Sequence, residues 1–130
     1  MTRAPLHTHL LTEKEWQGQV VQLARTLGWR HYHTYRSTRS PSGWPDLALC
    51  RDRLVLLELK TAHGKVSAAQ ADWIRALHHA GAEIYVARPR HLQTLATLLG
   101  PRNSTAWHEA RGHLLLELDP ILDHAHKEHL

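Results

Sequence analysis

The chain has a single cysteine, Cys50, so it can form no internal disulfide. That fits a reducing compartment. No apolar run approaches the roughly 18 residues of a membrane-spanning helix. No signal-peptide pattern opens the sequence, so a soluble, cytoplasmic protein without a membrane partner is expected. No internal repeat is visible. The sequence is rich in histidine, with 13, which raises the question of zinc. His31 and His33 share one face of an expected strand, and His124, His126 and His129 cluster near the end. Structural zinc sites in small domains usually recruit several cysteines at tight spacings, and that pattern is missing.

What is present is one domain's worth of chain. At 130 residues and 42% apolar content the sequence supports a real core. The charge balance is basic, 16 Lys+Arg against 12 Asp+Glu. A net +4 suits a polyanionic partner without requiring one.

Residues 1–11 read as a loose leader. Thr12-x-x-Glu15 is a capping box opening a helix, with Trp16, Val20, Leu23, Ala24 and Leu27 at helical spacing and Gly28 as its stop. Trp29 to Tyr35 reads as a strand and Arg36 to Trp44 as a loop. Strands follow at about Asp46–Cys50 and Val55–Lys60, with a turn at Arg51-Asp52-Arg53 that both arginines decorate. Cys50, in an apolar strand run, is expected as a small core residue. Ser67 caps a second helix with Gln70 at the reciprocal position; Trp73, Ile74 and Leu77 form its apolar stripe, and Gly81 ends it. Trp16 and Trp73, each on an apolar stripe, are expected in the core. Glu83–Ala87 is a fourth strand, and Pro89 opens a third helix to about Leu99. The order α-β-β-β-α-β-α predicts an α/β fold: a mixed central sheet of about four strands flanked by helices. Residues 100–130 form an extension, in which His113–Leu118 reads equally as an edge strand or a helix, broken by Pro120.

Two segments carry the chemistry. Gly43-Trp44-Pro45-Asp46-Leu47 places an acid at the start of one strand. Glu58-Leu59-Lys60 ends the next. Residues i and i+2 on a strand point to the same face, so Glu58 and Lys60 project together while Leu59 points into the core. If the strands pair as a hairpin, Asp46 meets Glu58 across the ladder. Such carboxylates suit Mg²⁺ or Mn²⁺, and the Leu59 carbonyl can add another oxygen. Bound metal polarises a phosphate and lowers the pKa of water, while Lys60 orients the water or offsets developing charge. A lone Glu-x-Lys is usually a solvated pair, and Gly-x-Pro-Asp alone is an ordinary turn. Their joint spacing carries the signal.

In these segments the chain resembles the VRR-NUC branch of the PD-(D/E)xK nuclease superfamily, particularly its small stand-alone phage and bacterial members. The matching residues are Ser42 to Leu47, Leu57 to Thr61, Gly64 to Ser67 with Gln70 and Trp73, and Gly81 to Val86. Thr12 to Trp29 fits the family's first helix, so the likeness spans about residues 12–99. It implies a restriction-endonuclease-like core and Mg²⁺- or Mn²⁺-dependent cleavage of DNA to leave a 5′-phosphate. It also implies action on branched DNA such as four-way junctions, by a homodimer, in the cytoplasm of a bacterium or phage-infected host. Asp46 and Glu58 would be the metal ligands and Lys60 the catalytic lysine. For the family's first-helix acid, Glu13 and Gln17 share one helical stripe. Gln17 fits the position by its distance to Gly28, and its neutrality leaves less charge for a metal. Gln70 matches a family glutamine but is equally a helix cap.

Around the acids, Arg36, Ser37, Thr38, Arg39 and Ser40 are placed to contact phosphates, with an ordinary solvated loop as the alternative. Lys65 in the next loop has the same two readings. Trp44 either stacks on an unpaired base or covers the core.

Overall fold

The computed structural model describes residues 10–35 and 41–128. Residues 1–9, the expected phosphate-contacting Arg36, Ser37, Thr38, Arg39 and Ser40, and His129 lie outside the described residues, as do the side chains of His124 and His126.

Helix α1 spans Glu13–Thr26 and starts at the expected box: Thr12 Oγ1 accepts from Glu15 N at 3.1 Å, and Thr12 N donates to Glu15 Oε1 at 2.9 Å. Its Trp16, Val20 and Ala24 are buried on one stripe. Three antiparallel strands follow, β1 Arg30–His33, β2 Leu47–Cys50 and β3 Leu54–Leu59. Helix α2, Ala68–His79, crosses to β4, Glu83–Ala87, which runs parallel to β3. The sheet order is β1-β2-β3-β4, so the expected mixed sheet is present. The third helix begins with a 3₁₀ turn at Pro89–His91 and continues as α3, Leu92–Leu98.

Strand alternation divides the interior in two. Leu47, Leu49, Val55, Leu57, Leu59, Tyr85 and Ala87 pack with Trp16, Val20, Ala24, Leu95, Leu98, Trp107 and Leu114. On the other face Ala48, Leu56, Ile84 and Val86 meet Ile74, Leu77, Leu118 and Ile121. Three buried indoles fasten the first layer. Trp16 Nε1 donates to Ala87 O at 3.0 Å, Trp29 Nε1 to Leu99 O at 2.9 Å and Trp107 Nε1 to Leu98 O at 2.9 Å. Each large ring thereby buries its apolar body and satisfies its one donor.

Several expectations change. The extension is helical, with α4 at Thr105–Leu115 and α5 at Asp119–Glu128. Pro120 lies in the first turn of α5, where a missing N–H costs nothing, so it opens a helix. Leu114 and Leu118 are fully buried, which makes the extension part of the core. Leu11, assigned to the leader, packs against the first cluster. Cys50 is exposed: it ends β2 on the face of Ala48, opposite the equally exposed Leu54, beyond the helices that cover that face. Trp73 is half-buried, set edge-on to Trp44 with ring centroids 5.0 Å apart.

Arg51 and Arg53 are more than turn decoration. Arg51 Nη1 donates to Leu27 O at 2.9 Å and its guanidinium lies over Trp29. Arg53, with 7% of its side chain exposed, pairs with Glu83 at 2.9 Å, donates to Leu98 O and lies between Trp29 and Trp107. A guanidinium can do all of this because it is planar, permanently charged and weakly hydrated.

Candidate active site

The turn before β2 is shaped by Gly43 and Pro45. Gly43 adopts φ +99°, and a Cβ there would stand 2.4 Å from the carbonyl oxygen of Ala69 in the first turn of α2. The loop can therefore lie directly against α2 only with glycine at this point. Pro45 is buried and leads into Asp46.

Asp46 then meets Glu58. Leu47 pairs with Leu57, so one step further along the antiparallel ladder Asp46 faces Glu58 on the same side of the sheet. Asp46 Oδ2 accepts from Leu59 N at 2.7 Å, which ties the acid to the backbone between Glu58 and Lys60. Leu59 is buried in the opposite cluster, as its strand position requires.

Glu58 is buried, with 1% exposure. Its Oε2 accepts from Gln70 Nε2 at 2.8 Å and lies 3.5 Å from Lys60 Nζ. Its Oε1 is buried and meets no N–H donor, and the carboxyl hydrogen-bonds with that of Asp46. Burial first, and then the charge of Asp46, push the Glu58 carboxyl up to about 8, against the opposing pull of Lys60. Asp46 is also raised, mainly by burial, with the Leu59 N–H pulling it back and Glu13 pushing it further. Two acids in one partly dry site cannot both ionise freely, so without a cation Glu58 keeps its proton near neutrality.

Gln70 serves in both expected roles. Its Oε1 accepts from Ser67 N at 2.9 Å while Ser67 Oγ accepts from Gln70 N, and its free amide end reaches Glu58. Of the first-helix candidates, Glu13 is exposed yet close enough to influence Asp46. Gln17 is half-buried and has no hydrogen bond to either acid among the described residues. Trp44, 40% exposed, leans on Trp73 beside the site.

No family model, curated protein or solved structure matches this chain. Among the described residues, no group of three or more His, Cys, Asp or Glu side chains is placed to hold a metal ion. The two carboxylates and the Leu59 carbonyl therefore make up the candidate oxygen set.

A second polar cluster was not anticipated. Arg88 Nη1 donates to Thr61 O at 2.8 Å and Gly64 O at 2.7 Å, and Arg88 Nε lies 3.3 Å from Glu117. Arg90 pairs with the same Glu117. Buried His91 accepts from Arg88 N at 2.9 Å through Nδ1 and turns Nε2 toward Glu117, 3.6 Å away. Burial first, and then the guanidinium charges of Arg90 and Arg88, hold His91 down at about 4, so it is neutral. The cluster fastens the loop after Lys60 to the end of β4 and to the turn between α4 and α5. Lys65, exposed, borders a cleft of about 490 Å³ between that loop and the α4–α5 junction. The one hint in the sequence was Glu117, a lone acid inside the run Leu114 to Leu118.

Proposed function

We propose that this protein is a divalent-metal-dependent DNA endonuclease that hydrolyses phosphodiester bonds. The observation that carries the reading is the facing of Asp46 and Glu58 across the β2–β3 ladder, with Lys60 beside the buried Glu58. Two facing acids that share one proton in the absence of a cation suit a hard divalent ion, which lets both ionise.

Asp46, Glu58 and the Leu59 carbonyl would hold Mg²⁺ or Mn²⁺. Bound there, the ion supplies Lewis-acid polarisation of the phosphate and a more acidic water. The chain's own residues do the rest. The Leu59 N–H fixes Asp46 and the Gln70 amide fixes Glu58, so both oxygens are preorganised. Lys60 sits where its ammonium can orient the attacking water or offset charge on the phosphorane. Trp44 and Lys65 extend the site as contacts to an unpaired base and a phosphate.

Branched DNA, four-way junctions included, is the proposed substrate, and a homodimer the proposed assembly. Both rest on the resemblance of residues 12–99 to the VRR-NUC branch. Two-fold-related sites match a junction in which two strands must be cut. A bacterial or phage-infected cytoplasm is the proposed setting.

A second reading, a DNA-binding module without turnover, draws on Gln17, a neutral residue at the first-helix position. Cleavage assays with Mg²⁺ or Mn²⁺ on matched four-way, flap, single-stranded and linear DNAs separate the two. The nuclease reading expects metal-dependent cutting that drops at least about a hundredfold in Asp46→Ala and Lys60→Ala, with binding retained. Salt-sensitive binding without cutting on any of the DNAs supports the module instead.

A further inference from the structure

Asp46 has a neighbour on each side of the sheet. In the β1–β2 register His33 pairs with Leu47, so Thr34 stands opposite Asp46, and Thr34 N donates to Asp46 O at 2.9 Å. In the β2–β3 register Glu58 stands opposite on the other side. Opposed residues of antiparallel strands share a face. Thr34, Asp46 and Glu58 therefore form one row across the sheet.

On one flank of that row Thr34 Oγ1 is buried with no partner. Buried hydroxyls nearly always find a partner, and an unpaired one is a standing cost. Valine has the same shape and strand preference without that cost, so the fold does not account for the hydroxyl at Thr34. Opposed Cβ atoms lie about 4.5–5.5 Å apart, which puts a carboxylate of Asp46 within reach of Oγ1 after a χ1 rotation.

We propose that Thr34 is a positioning residue for Asp46: its hydroxyl donates to the Asp46 carboxylate when a divalent cation is bound and holds it in the ligating orientation. The Leu59 N–H already holds Asp46 from the β3 side at 2.7 Å. Thr34 supplies the matching donor from the β1 side. This rests on reading Asp46 and Glu58 as a metal site, and it adds a residue to that site.

Calorimetric titration of Mn²⁺ into the wild type, Thr34→Val and Thr34→Ser, with thermal melts of each, tests it. Thr34→Val is expected to weaken Mn²⁺ binding about tenfold, the scale of lost outer-shell hydrogen bonds. Its melting temperature should hold or rise, because an orphaned hydroxyl is gone. Thr34→Ser should bind like the wild type. Wild-type affinity in Thr34→Val overturns the role of Thr34 and leaves the metal site standing. Equal weakening in both variants, with lowered melting, also overturns it and assigns Thr34 to packing. A wild-type protein that binds no Mn²⁺ removes the metal site and this role together.

Discussion

Gln70 joins the start of α2 to the buried acid of β3: its Nε2 donates to Glu58 Oε2 at 2.8 Å while its Oε1 accepts from Ser67 N at 2.9 Å. One amide thus caps a helix with one end and orients a carboxylate with the other. Only this orientation of the amide satisfies both partners.

Replacing Gln70 should therefore have two separable effects. Gln70→Ala is expected to cost about 1–2 kcal/mol of stability from the cap and the Glu58 bond together. It should also lower cleavage. Ser67→Ala removes the cap at a cost of about 1 kcal/mol but leaves the Glu58 bond, so cleavage should hold. Urea titrations and cleavage rates on both variants check this; equal loss of cleavage in the two would assign the whole effect to the helix start.

The stability of the metal-free protein should depend on pH through Glu58. Its carboxyl sits at about 8 when folded, against 4.5 for an ordinary glutamate. The folded state holds this proton more tightly, so the stabilisation is complete below pH 4.5 and is lost as pH rises through about 8. His91 acts in the opposite direction: held at about 4 against an ordinary 6.5, it withdraws stability as pH falls below 6.5. Between pH 6.5 and 8 the fall is therefore expected to come from the acid pair. Urea midpoints should decline over that window, Glu58→Gln should flatten the decline, and added Mg²⁺ should reverse it in the wild type alone. A wild-type profile as flat as that of Glu58→Gln would refute the buried proton.

Gly43 and Gly81 form a natural pair of controls. Both have positive φ, at +99° and +89°. A Cβ at Gly81 meets nothing within 4 Å, whereas one at Gly43 meets the Ala69 carbonyl at 2.4 Å. Gly81→Ala should cost about 1 kcal/mol from backbone strain alone, and Gly43→Ala about 3 kcal/mol. Gly43→Ala should also reduce cleavage, because the loop that carries Asp46 must move off α2. Thermal melts and cleavage rates of the two variants decide the point.

Arg53 is expected to be among the costliest single charged residues to remove. Arg53→Ala removes the cation paired with Glu83, one of the two donors to the Leu98 carbonyl, and the cation lying over Trp107. A loss of about 2–4 kcal/mol is expected. Arg51→Ala, whose carbonyl bond and cation–π contact are more exposed, should cost about 1 kcal/mol. Chemical denaturation of both measures the gap, and equal small losses would show Arg53 to be surface decoration after all.

Local chemistry was legible in the chain. The boxes at Thr12 and Ser67, the strand at Glu83–Ala87 and the pairing of Asp46 with Glu58 follow from residue types at short spacings: a hydroxyl three positions before Glu or Gln, alternating apolar side chains, a short turn. Contacts between distant segments were not legible. Arg53 was written in a turn, and only the arrival of Glu83, Leu98 and Trp107 made it central. Cys50 sat in an apolar run, and only the limit of helix cover left it exposed. Pro120 looked like a break until its position at the start of α5 made it an opening. Thr34 and Gln70 gained their meaning from strand register and helix docking. Sequence spacing determines what neighbours along one element do, because their geometry is set by the backbone. Which side chains meet from different elements depends on how sheets and helices pack, and here that packing decided what surrounds the two acids.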